Sequence, residues 1–292
     1  MAPVSMQSSS RPDAPPLGPC VTPSRPAAPM GLTREGAPAV SRVGSAGSRT
    51  LWSLGSLAAL IAIWALGAAI VQDRLLPSPA VVLTVILREI ESGAMLRHVG
   101  ATLARVAVSF VLAMVVGTAI GLALGISRAS DRFFDSWLIF FLNLPALVII
   151  ILCYVWFGLT ETAAVIAVAI NKIPNVAVQL REGARSLSKD YGEMALIYRF
   201  GWWRTLRHVT LPQLAPFFAA AARSGLALVW KIVLVVELLG RPNGVGYQLN
   251  IAFSLFDVAT ILAYALVFIA VVQVIEMSVL QPLEARANRW RR

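Results

Sequence analysis

The chain has 292 residues, 58% of them hydrophobic and only 14% charged, with 25 Lys and Arg against 15 Asp and Glu. So apolar a composition excludes an ordinary soluble domain and marks an integral membrane protein. A positive excess in such a chain belongs to loops on one side of a membrane, whereas a nucleic-acid face needs basic residues gathered on one soluble surface.

Residues 1–50 are rich in Pro, Ser, Ala, Gly and Arg, with hardly an aromatic. Such a segment buries too little apolar surface to offset its ordering entropy, so we expect a disordered tail. It is not a cleavable signal, because the first long apolar run begins only near residue 51 and is long enough to span. Met30 offers an alternative start.

Six apolar runs follow, at 51–72, 103–126, 134–157, 161–180, 214–238 and 258–281. Each has about the 20 residues a helix needs to cross the hydrocarbon layer. The expected fold is therefore an all-α integral membrane protein with six transmembrane helices, occupying residues 51–292. Between the first two runs, "LPSPAVVLTVILREIESG" predicts a short surface helix opening after Pro79 and ending at Gly93. The fourth run is interrupted by Asn171, Lys172, Pro174 and Asn175, which suits a helix facing other helices or a watery path.

Counting Lys and Arg in the connections orients the chain. With the N-terminus inside, the cytoplasmic side receives five from the tail, Arg128 and Arg132, six from the 181–213 loop and four from the C-terminus. The outside receives only Arg74, Arg88, Arg97 and Arg241. This predicts both termini in the cytoplasm.

The 181–213 loop is too long and too patterned for a simple connection. Tyr191, Met194, Ala195 and Tyr198 fall at helical spacing, and Trp202, Leu206 and Val209 repeat it, with Gly201 between them as a natural bend. Pro212 and Pro216 then restart the chain as a membrane helix. Two short amphipathic helices must bury their stripes against the lipid interface, the end of the bundle or a partner.

This stretch resembles the cytoplasmic "EAA" loop of permease subunits of bacterial ATP-binding-cassette importers. That pattern runs Glu-Ala-Ala, three residues, Gly, nine residues, Ile, one residue, Leu-Pro. Here Glu193-Met194-Ala195 opens it and Val209-Thr210-Leu211-Pro212 closes it at the same spacing. Arg199 takes the usual Gly position, with Gly201 two residues late. "LLPSP", "RASDRFFDSWLIFFLNLPALVIIILCYVWFGL" and "ARSGLALVWKIVLVVELLG" followed by "NGVGYQL" are similar to the nitrate, taurine and aliphatic-sulfonate permeases.

The resemblance implies a type I importer permease, a homodimer of six-span subunits in a bacterial inner membrane. It implies that the loop is a coupling helix docked on a cytosolic ATPase, through Glu193, Met194, Ala195, Tyr198, Gly201, Leu211 and Pro212. It also implies an external solute-binding protein, docking on the 73–102 and 239–256 surfaces. Glu193 is placed to cap the helix start or to pair with an Arg of the partner.

No chemistry of the chain's own is expected. It has no G-x-x-x-x-G-K-[ST] phosphate loop, so ATP belongs to a partner and the chain itself carries no cofactor. Gly117, Gly121 and Gly125 make a helix-packing face. His98 and His208 lack ligand-spaced companions, so no metal site is expected, and Cys20 and Cys153 form no disulfide framework. The expectation is a permease that is not an enzyme. A membrane enzyme would need a polar cluster at one interface, and a standalone channel would not need the 190–212 helices. Charges within the runs are costly at membrane depth, so Arg223, Lys231 and Glu237 must face protein or water. They pair with other spans or a dimer mate, or else they join Asn171 and Lys172 in lining the path of an anion.

Overall fold

The structure is a computed structural model that describes residues 46–282. The first helix, α1 (Ala46–Val71), begins inside the segment expected to be disordered; the rest of that tail lies outside the described residues. Contacts divide the chain within α1, between Ser53 and Leu54. Only the opening turns of α1 are described for the first unit, and the helix bundle lies in the second.

Local chemistry sets the next elements. Helix α2 (Pro79–Glu91) takes Ser78 as N-cap, its hydroxyl accepting from the Val81 amide, and Pro79 fills the first position, where no N–H is needed. Gly93 adopts a left-handed φ of 74° and turns the chain straight into α3 (Ala94–Ile126). This helix starts nine residues before the apolar run at 103, because Gly93 supplies the turn and nothing between 94 and 103 breaks a helix.

The run at 134–157 is not one straight span. It forms α4 (Arg128–Asn143) and α5 (Ala146–Phe157), bent by 94°. Pro145 is the cause: it has no N–H to continue the ladder, and it drives the preceding Leu144 to an extended ψ of 127°. Helix α6 (Glu161–Arg185), capped by Thr160, passes through Pro174 without a break.

Beyond α6 come α7 (Lys189–Ile197) and α8 (Trp202–Thr205), then a π-helical turn over Leu206–Thr210, then α9 (Leu211–Gly240). The expectation of a second short helix and a restart at Pro212 is corrected here. From Trp202 to Gly240 the chain is one helical segment of 39 residues. The wider π turn, closed by Leu211 N–H to Leu206 O, stands just ahead of Pro212 and lets the helix carry both prolines. Helix α10 (Val245–Ser254) and α11 (Val258–Ile275), with a π turn over Glu276–Leu280, complete the described chain.

Four helical segments are long and apolar enough to cross a membrane: Ala94–Ile126, Glu161–Arg185, Trp202–Gly240 and Val258–Val279. The bent α4–α5 pair makes a fifth if taken as one span, and Gly55–Val71 within α1 is apolar but shorter. The described residues therefore show four or five full-length spans where six were expected.

Helix α6 is the centre: 56% of its most apolar window is buried, against 17% for α11. Small residues make that possible. Helices α3 and α6 run parallel, with Gly117 against Val176, Gly121 against Ala177 and Leu180, and Gly125 against Ala184. A methyl at Gly117 would stand 2.6 Å from Val176 Cβ, so the glycine stripe sets the approach of the two helices. Helix α9 packs antiparallel to α6 and also touches α3, with Phe217 against Gly183 and Gly225 against Lys172 and Phe110.

Candidate functional site

The 186–210 loop defines one end of the bundle. Helix α7 ends where Arg199 takes a left-handed φ of 49°, with the Phe200 amide donating to Ala195 O and the Tyr198 amide to Met194 O. The turn thus falls on Arg199, at the position where the family pattern has glycine. Gly201 is extended (φ −63°) and begins α8. Glu193 lies within α7 and is exposed; the acidic residue in the first turn is Asp190. The expected capping role therefore does not fall to Glu193.

Of the predicted apolar stripe only Ala195 is buried, at 2% exposure. Tyr191, Met194 and Tyr198 are exposed, as are Ile197, Trp202, Trp203 and Leu211, while Pro212 is half-buried. These side chains leave an uncovered apolar group at the loop, of the kind that the lipid interface or a partner would cover. The loop is tied back to the bundle by the Ser188 amide, which donates to Gln213 Oε1 at 3.1 Å. Nearby, Arg181 of α6 holds Asp135 (2.6 Å) and Asp131 (3.2 Å) of α4, and Arg185 also pairs with Asp131. These pairs lock α4 to the loop end of α6.

A second polar network occupies the opposite end. Arg105 of α3 donates to Glu237 of α9 at 2.6 Å, to both Glu161 oxygens of α6 at 2.8 and 2.7 Å, and to Asn243. Glu237 also accepts from the Thr102 hydroxyl and from the Gly246 amide, each at 2.9 Å. Thr102 in turn accepts from the Val245 amide, and His98 Nδ1 from the Gly244 amide. Arg241 joins at Glu161 and at Leu159 O. The α9–α10 connection is thereby bound to α3 through its backbone and to α6 through the Arg241 side chain.

The five residues expected along a path are not brought together. Arg223 and Lys231 line a groove of about 710 Å³ between α9 and α11, with Trp230, Gln273 and Glu276. Glu237 is consumed in the network just described. Lys172 is 1% exposed, and its ammonium has no hydrogen-bond partner in the structure; the neighbouring Asn171 Nδ2 has none either. Among the described residues no group of three His, Cys, Asp or Glu is set to hold a metal.

Residues 113–281, which contain the loop and α4 to α11, match the family model for the binding-protein-dependent transport system inner membrane component. The chain belongs to that family. The permease is 28% identical over 244 residues to the putative aliphatic sulfonates transport permease of Bacillus subtilis (strain 168), covering 82% of this chain and 88% of the relative. It is 30% identical to the corresponding putative permease of Escherichia coli (strain K12) over 190 residues, 64% of this chain and 72% of the relative. In fold, the permease resembles the MetNI methionine ABC transporter in an inward-facing conformation, with a TM-score of 0.58 and 18% identity, over 69% of this chain and 99% of that one. It is an integral inner-membrane transport component, not an enzyme.

The loop and the intramembrane charges of this permease are legible in its sequence, but their arrangement is not. Arg105 and Glu237, two opposite charges in two apolar helices, were the available signal for the network. Thr102, His98 and Asn243 carried none, because their roles depend on elements more than 130 residues apart meeting in space.

Proposed function

We propose that this permease is the membrane half of an ATP-driven importer for a small anionic solute of the sulfonate, taurine or nitrate type. It works as a homodimer of six-span subunits, α1 and the bent α4–α5 pair supplying the crossings beyond the four long helices. Both termini face the cytoplasm. The 181–213 loop docks on a cytosolic ATPase, which binds the ATP, and a separate external protein delivers the solute. Lys172, Asn171, Arg223 and Lys231 are the intramembrane polar groups available to the path, Glu237 being held by Arg105, and its lysines favour an anion.

The observation that carries this reading is the uncovered surface of α7 and α8. Tyr198 is 69% exposed and Trp202 76%, beside the exposed Glu193, at the spacing of the coupling motif. Large apolar groups projecting from a loop toward the cytoplasm are explained by a protein that covers them.

The test is co-expression with the cognate ATPase and binding protein, then uptake of ethanesulfonate, taurine and nitrate into proteoliposomes. The ATPase is expected to co-purify with the parent chain and to be lost with Glu193→Lys or Tyr198→Glu. Retention of both assembly and ATP-driven uptake in those variants removes the docking role from the loop.

A further inference from the structure

Lys172 lies near the middle of α6, eleven residues from its start and thirteen from its end. Its stem passes between α3 and α9. Opposite it stands Gly225: a methyl there would come within 2.9 Å of Lys172 Cε and 3.3 Å of the Phe110 ring. The missing side chain at 225 is what gives the lysine its place. The charged clusters at the two ends are distant. Along α9, Glu237 is twelve residues from Gly225, about 18 Å; along α6, Arg181 is nine residues from Lys172, about 14 Å. Their carboxylates are already held by Arg105, Arg181 and Arg185.

An ammonium buried without a partner costs several kcal/mol, and an apolar residue of similar size would avoid that cost. Lys172 therefore does not stabilise this arrangement of helices. Pro174 adds to the imbalance, since it has no N–H to give the carbonyl one turn earlier, at Ile170. The unpartnered nitrogens of Asn171 and Lys172 are neighbours at mid-helix, next to the Ile170 carbonyl that Pro174 cannot serve.

The loop joins α6 directly to α9, so displacement of the loop alters the contact at which Lys172 and Gly225 face each other. We propose that Lys172 is the seat for the negative group of the transported solute, covered by Gly225 in this conformation and opened when α6 and α9 part. This rests on the importer reading, and it names the residue and the conformational step that reading leaves open.

The chain has three lysines, at 172, 189 and 231, so amine labelling with acetic anhydride followed by mass spectrometry resolves each one. The experiment uses the complete transporter in nanodiscs, at rest and trapped with ATP and vanadate. Lys172 is expected to be unreactive at rest and labelled in the trapped state, and to be protected there by ethanesulfonate, nitrate or bicarbonate. Lys172→Met is expected to raise KM for uptake about tenfold or more, the range of one charge-assisted hydrogen bond. Its melting temperature should equal or exceed the parent's, because the unpaired charge is gone. Equal labelling in both states, no labelling in either, absence of protection by any anion, or a lowered melting temperature overturns the assignment. If Lys189 and Lys231 respond to nucleotide and Lys172 does not, only the seat is withdrawn; if none responds, the importer reading fails as well.

Discussion

Arg105 and Glu237, 132 residues apart in sequence, meet at 2.6 Å where Glu237 has no exposed side-chain surface and Arg105 almost none. The pair fixes α3 against α9, and through Glu161 it also fixes the start of α6.

Arg105→Ala leaves the buried Glu237 carboxylate without its cation and is expected to cost about 3–5 kcal/mol. Glu237→Ala is expected to cost less, about 1–3 kcal/mol, because Arg105 keeps Glu161 while the Gly246 amide loses its acceptor. Thermal unfolding in detergent measures both. A Gly244→Ala change is expected to act on the same site: its φ of 114° strains any side chain, and a methyl there would strike the Glu237 carboxylate.

The glycine stripe of α3 gives a second prediction. A methyl at Gly121 would meet the Ala177 carbonyl oxygen at 2.5 Å, which is backbone and cannot swing aside. Gly121→Leu is therefore expected to separate α3 from α6 and to lower the yield of folded protein on size exclusion. The same substitution at Gly55, where no atom lies within 4 Å, should be tolerated within the second unit.

Arg199 gives a prediction of opposite sign. A non-glycine residue in the left-handed region carries about 1–2 kcal/mol of strain. Arg199→Gly is expected to relieve most of it and to slow amide exchange across 194–200. Faster exchange would show that the arginine side chain, not the backbone, holds the turn.

Asp131 bridges Arg181 and Arg185 at the loop end. Its loss leaves Arg181 with Asp135, so Asp131→Asn is expected to cost about 1 kcal/mol, toward the upper end for such partly exposed pairs. The effect should shrink in high salt, and melting curves at two ionic strengths read it.

How much of this could be read from sequence depended on range. Helices α3, α6, α9 and α11 follow from runs of apolar residues, and the Gly117–Gly121–Gly125 spacing correctly announced a packing face. The bend at Pro145 was equally local, but an unbroken apolar composition on both sides of the proline hid it. The turn at Arg199 was masked because glycine is the usual left-handed residue and Gly201 stood nearby. Burial of Lys172 without a partner had no local signal, since it depends on what α3 and α9 bring to that depth.

The helix from Trp202 to Gly240 has a mechanical consequence. At 39 residues it is a rod of about 58 Å, with the exposed tryptophans at one tip and the Arg105–Glu237 clasp three residues short of the other. The π turn over Leu206–Thr210 and the prolines at 212 and 216 are the places where such a rod bends, and all lie within its first fifteen residues. Beyond Pro216 the helix runs on to Glu237 without a further proline or π turn. Stiffening or softening the Leu206–Thr210 turn should therefore tune how far one face of the membrane feels events at the other.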